Sequence, residues 1–126
     1  MKNKKVLIVG KERVCNYLAE KNLLNLWMSQ ENIVIVSDGI EALERTTKEL
    51  FDIIILESRL LGIHEKDLAQ QIRAQSHWSV PKIINYTADV FQTKEWFDEL
   101  IVKPATKKDF AAKILKALDT PSEDIQ

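Results

Sequence analysis

The segment Phe51-Asp52-Ile53-Ile54-Ile55-Leu56-Glu57 constrains this chain more than any other, because its stretch Ile53 to Leu56 is an unbroken apolar run that ends on a carboxylate. A run without polar alternation fits a strand buried on both faces, as in a parallel sheet covered by helices. In open sheets of that kind, ligands and chemistry gather at the carboxyl ends of the strands. Glu57 is therefore the first residue to explain. Lys5-Val6-Leu7-Ile8-Val9 is a second run of the same type, and Gly10-Lys11-Glu12 follows where another strand end would open into the same crevice.

Around these runs, strand-like and amphipathic stretches alternate, which predicts βαβ units and a doubly wound parallel sheet. The first helix would turn Cys15, Leu18, Ala19, Leu23 and Leu26 inward and end near Ser29; Cys15, the single cysteine, reads as a small core residue. Strand 2 is Ile33 to Val36, and Asp38-Gly39 opens a helix with inner face Ile40, Leu43, Thr46, Thr47 and Leu50. A loop with Leu60, Leu61, Gly62 and Ile63 precedes a helix bearing Leu68 and Ile72. Trp78, Val80 and Pro81 then lead into strand 4, Lys82 to Tyr86, with Thr87-Ala88 at its end. Before the brief run Ile101-Val102 there is room for one short helix of about two turns. After Lys103-Pro104, Thr106 and Asp109 form a capping-box-like start to a last helix with Phe110, Ile114 and Leu118.

The 126 residues fit one domain, with a core over 4–118 and a frayed polar tail over 119–126. Eighteen basic against 19 acidic residues leave a net charge of -1, no footprint for nucleic acid or an anionic membrane. The apolar run behind the basic N-terminus stops at Val9, too short for a signal peptide or a membrane span, so a cytoplasmic location is expected.

Taken in order, Val6-Leu7-Ile8-Val9, Ser37-Asp38-Gly39-Ile40-Glu41-Ala42-Leu43, Asp52-Ile53-Ile54-Ile55-Leu56, Thr87-Ala88 and Lys103-Pro104 resemble receiver domains of bacterial response regulators, from about Lys4 to Leu118. The resemblance implies a flavodoxin-like five-stranded sheet of order 2-1-3-4-5, here with a shortened fourth helix. It also implies a site in which an acidic pair after strand 1 and an Asp ending strand 3 hold Mg²⁺, and that Asp accepts a phosphoryl group from a histidine kinase. A Thr and a Lys, matched by Thr87 and Lys103, would sense the phosphoryl group, and the bond between Lys103 and Pro104 is expected to be cis.

The acidic positions all depart from that pattern: the pair falls on Gly10 and Lys11, the acceptor on Glu57. Gly10, Lys11, Glu57 and Lys103 sum to +1, where three carboxylates and a Lys would give -2. The extra methylene should push the Glu57 carboxylate about 1.5 Å further out. Lys11, with Lys103, is expected to pair with Glu57 and fix the crevice in one conformation without metal, phosphate or other cofactor. An ordinary solvated strand-end carboxylate is the plainer reading of Glu57.

His64 and His77 read as solvated loop residues, since neither has a metal ligand at suitable spacing. Trp27, Trp78 and Trp96 read as packing residues, since no basic stripe accompanies them. The aromatic switch residue that the resemblance implies before Lys103 is missing, where Glu99-Leu100-Ile101-Val102 stand. The shortened fourth unit makes Trp96, Phe97 and Leu100 the candidate interaction face. The leading expectation is a non-enzymatic, phosphorylation-independent pseudo-receiver, monomeric or dimeric through its fourth and fifth units. Its partner would be a protein, either a histidine kinase or an output protein in trans. The alternatives are a working Mg²⁺-dependent phosphoacceptor using Glu12 as a metal ligand, and a small-molecule binder using the degenerate crevice.

Overall fold

A computed structural model describes residues 3–57, 60, 62–75 and 80–119. Leu61, His77, Trp78 and the polar tail from residue 120, each read from the sequence above, lie outside the described residues. Five strands, β1 (Val6–Val9), β2 (Ile33–Val36), β3 (Ile53–Glu57), β4 (Lys82–Thr87) and β5 (Glu99–Val102), form one parallel sheet of order β2-β1-β3-β4-β5. This is the expected doubly wound topology. Side chains alternate across each strand, so the apolar runs feed two cores. Val6, Ile8, Ile53, Ile55, Ile84 and Tyr86 face one side; Leu7, Val9, Ile54, Leu56 and Ile83 face the other. Helices α1 (Arg13–Leu24) and α4 (Lys107–Asp119) cover the first side, while α2 (Gly39–Lys48) and α3 (Glu65–Gln75) supply Ala42, Leu68, Ala69 and Ile72 to the second.

Local chemistry sets the helix starts. Asp38 Oδ1 accepts from the Glu41 N–H at 2.8 Å, and Thr106 Oγ1 accepts from the Asp109 N–H at 3.0 Å, so both expected caps form. Two helix faces differ from expectation. In α1 the buried residues are Asn16, Ala19 and Leu23; Leu18 is 45 % exposed, Cys15 is half-buried, and the helix stops at Leu24, short of Ser29. The reason is polar: Asn16 Nδ2 donates to the Gly10 carbonyl at 2.8 Å, and that buried bond turns the helix away from its most apolar stripe. In α2 the buried residues are Gly39 and Ala42, while Ile40, and Leu50 beyond the end of the helix, are exposed. A Cβ at Gly39 would collide with Ile63 Cγ2, so small residues set how closely this helix approaches.

The helix expected between β4 and β5 does not form. Residues 88–98 run as turns, with Thr87 Oγ1 accepting from the Asp89 N–H at 3.0 Å and Asp89 Oδ1 accepting from the Phe91 N–H at 2.9 Å. Asp98 Oδ2 closes the segment, accepting from the Ile83 N–H at 2.7 Å and from Arg73 at 3.1 Å. These bonds from Thr87, Asp89 and Asp98 hold the crossover as turns in place of the expected short helix. Strand β5 correspondingly starts earlier than expected, at Glu99. Among the described residues, no helix is long and apolar enough to cross a membrane.

Candidate functional site

The carboxyl ends of the strands open into a crevice of about 680 Å³, to which Lys11, Glu57, Thr87 and Lys103 all contribute. Sheet register does the assembly. Glu57 ends β3 opposite Tyr86, and Thr87 ends β4 opposite Val102. Val9 pairs with Leu56, so Gly10, one step further along, reaches the level of Glu57.

Glu57 is not the solvated strand-end group of the plainer reading; it is 2 % exposed. Nor does its longer side chain project outward as expected. It folds back over Gly10, with Oε1 2.5 Å from the point a Cβ at Gly10 would occupy. Asn16 Oδ1 lies 2.7 Å from the same point. Both oxygens are buried with no hydrogen-bond partner among the described residues. Burial pushes the Glu57 carboxyl up to about 7, against the lowering effect of Lys103 and with a small upward contribution from Glu12. A carboxyl half-protonated near neutrality is a weak nucleophile, but it can donate its own O–H, and Asn16 Oδ1 is an open acceptor beside it.

Lys11 is exposed at the rim, and among the described residues no ion pair joins it to Glu57, so the expected pairing through Lys11 is not formed. Lys103 sits closer to the centre. Its ammonium lies 4.9 Å from the centroid of the Tyr86 ring and 3.5 Å from Cys15 Sγ, while its backbone N–H donates to the Thr87 carbonyl at 2.7 Å. The peptide bond between Lys103 and Pro104 is cis, as expected. Thr87 is fully buried at the crevice wall. His64, exposed as the sequence reading expects, stands at the rim beside the buried Glu65, with Nε2 3.5 Å from Glu65 Oε2.

Sequence reasoning missed Asn16 and Tyr86. Asn16 was legible in principle, since an Asn at helical spacing from Ala19 and Leu23 is a polar residue on a core face.

These residues do not fit a Mg²⁺ ion. The cation wants several oxygen ligands in near-octahedral geometry. Here Gly10 has no side chain, Lys11 brings positive charge, and the Glu57 carboxyl fills the space an acidic side chain at position 10 would need. Among the described residues, no three His, Cys, Asp or Glu side chains converge to hold a metal.

The expected interaction face is also corrected. Phe97 is buried, and Trp96 and Leu100 pack against the second core. The exposed apolar side chains of that surface are instead Val90 and Phe91, the latter 88 % exposed.

No protein-family model matches the chain, and no curated protein does. Solved structures do. The chemotaxis response regulator CheY4 of Vibrio cholerae is 20 % identical over 91 % of this chain and 98 % of its own, with a TM-score of 0.79. The response regulator TrrA of Thermotoga maritima, solved with Mg²⁺ and beryllium fluoride, is 26 % identical over 91 % and 99 %, with a TM-score of 0.78. The fold is that of a response-regulator receiver domain. A receiver domain of a Pseudomonas aeruginosa sensor histidine kinase, 21 % identical over 93 % and 98 % with a TM-score of 0.80, holds magnesium in its active-site cleft. This chain thus pairs the receiver fold with a cleft whose side chains do not suit that ion.

Proposed function

We propose that this chain is a phosphorylation-independent pseudo-receiver, a non-enzymatic module of two-component signalling that acts by binding a protein partner. The receiver fold supports the signalling role, and TrrA, which is 26 % identical, has been solved in complex with the histidine kinase ThkA. The observation that carries the reading is the Glu57 carboxyl seated over Gly10, where a second acidic side chain would have to stand for metal-assisted phosphoryl transfer. With Glu57 buried and Lys103 resting on Tyr86, the crevice holds one arrangement that needs no phosphoryl group to complete it.

An amide NMR titration with Mg²⁺ and then beryllofluoride, following residues 10–12, 57, 87 and 103, tests it. Silence at millimolar Mg²⁺ and no beryllofluoride adduct is the expected result. Saturable shifts at those residues would overturn the reading and make the chain a working phosphoacceptor.

A further inference from the structure

Strand β2 ends the sheet, and its outer edge has no neighbouring strand. Val36 turns its backbone groups toward β1, since its carbonyl accepts from the Gly10 N–H at 3.0 Å. Backbone groups of successive residues in a strand point to opposite sides, so those of Val34 also face β1, while those of Ile33 and Ile35 face outward. The Ile33 N–H is taken by the Gln30 carbonyl. The Ile33 carbonyl and both backbone groups of Ile35 are left with no strand to pair with among the described residues. Sheets commonly guard such an edge with charges or proline. The opposite edge has both: Lys94, Lys113 and Lys116 gather on Glu99 at the start of β5, and Lys103 and Pro104 follow its end. From Asn32 to Ser37 the β2 edge carries neither, and Ile35 is 41 % exposed on the face where Ile33 enters the first core.

We propose that this edge is a self-association surface: β2 of a second copy of the chain pairs with it antiparallel, about a two-fold axis between the two Ile35 residues, and joins the two five-stranded sheets into one. The segment suits its own image. With Ile35 opposite Ile35, each copy gives its N–H to the carbonyl of the other, and the two exposed side chains cover each other on one face. The same register sets Val34 against Val36 and the open Ile33 carbonyl against Ser37. It also sets Asn32, a neutral amide, against the carboxylate of Asp38, so no two like charges stand directly opposite. A strand of four residues makes an interface well below the standard size of about 1,600 Å², so a dimer with a Kd on the order of 0.1 mM is expected.

Sedimentation equilibrium of the full chain from about 20 µM to about 1 mM tests the proposal. A monomer–dimer equilibrium is expected for the parent. Ile35→Lys, which sets two ammonium groups opposite each other, should weaken it about tenfold or more. Val102→Lys, at an exposed position of the other edge strand, should leave it unchanged. The proposal is overturned by a monomer throughout, by a dimer that Ile35→Lys leaves as tight, or by one that Val102→Lys weakens, which would place the contact at β5. Should Ile35→Lys not fold, hydrogen exchange at the Ile35 amide of the parent decides. Exchange there should slow about fourfold across the same concentration range as the N–H becomes bonded, and a rate independent of concentration overturns the proposal.

Discussion

Oxygen Oε1 of Glu57 lies 2.5 Å from the point where a Cβ on Gly10 would stand, so the two residues share one volume: what Gly10 lacks, Glu57 fills. The side chain at position 10 therefore controls whether the carboxyl at position 57 is dry or wet.

Gly10→Ala should expel the Glu57 carboxyl into the crevice and crowd Asn16 Oδ1, which is 2.7 Å from the new methyl position. Overpacking of this kind costs about 1–3 kcal/mol, and the low end is expected because a carboxyl on a flexible stem can move. Urea unfolding gives the loss, and a ¹³C carboxyl titration should show the Glu57 pKa falling from about 7 toward its ordinary 4.5. An unchanged pKa would mean that the carboxyl does not depend on Gly10.

Glu57 also predicts an unusual pH dependence. Its pKa is raised in the folded state, so between 4.5 and about 7 the unfolded chain gives up a proton that the folded chain keeps. The stability contributed by the neutral carboxyl is complete below pH 4.5 and is lost as pH rises through 7. The loss is on the order of 3 kcal/mol. Glu57→Gln removes the titration and keeps the shape, so the variant should match the parent at pH 5 and exceed it at pH 8. Parallel urea curves at the two pH values decide, and equal stability at pH 8 would refute the buried neutral acid.

Glu99 has the opposite sign. It is 3 % exposed, and although burial alone would raise its pKa, the Leu100 N–H at 3.1 Å and the Lys113 ammonium at 3.3 Å, with Lys94, hold it lowered. Its stabilisation is present above the ordinary carboxylate pKa and disappears as pH falls through the lowered one. Glu99→Gln should cost about 1–2 kcal/mol at pH 7, because three half-exposed lysines lose their common partner. The deficit should vanish in acid, as urea curves at pH 7 and pH 3 would reveal.

Restoring a Mg²⁺ site should need three changes together. Gly10→Asp alone collides with Glu57, and Glu57→Asp alone leaves Lys11 and a side-chain-free position 10. Gly10→Asp, Lys11→Asp and Glu57→Asp in one chain supply the carboxylates and shorten the one in the way. The triple variant should bind Mg²⁺ at millimolar or lower concentration, with the parent and both single variants silent in the same amide titration. Binding by the parent would show that Lys11 and Gly10 are no obstacle.

The strands were legible because buried parallel strands are continuous apolar runs, and Ile53 to Leu56 and Val6 to Val9 are fully buried as that pattern requires. Glu57, Thr87 and Lys103 were legible as strand-end residues for the same reason. The orientation of α1 was not, because one hydrogen bond from Asn16 to Gly10 outweighs the apolar spacing of Leu18 and Cys15. The conformation of Glu57 was not legible either. It depends on an empty volume on a neighbouring strand, which periodicity along a single segment does not register. Between β4 and β5, a residue count sufficient for two turns of helix says nothing of the anchors at Thr87, Asp89 and Asp98 that hold the segment as turns.

The Lys103 ammonium leans inward on the face of Tyr86 and on Cys15. Any anion arriving in the crevice must draw that cation off both before the two can meet. The free energy of withdrawal is subtracted from the anion's affinity, as when only a minor population of a receptor is competent to bind. A receptor that keeps its charge folded away in this manner discriminates against weak anionic visitors without any repulsive group at its mouth.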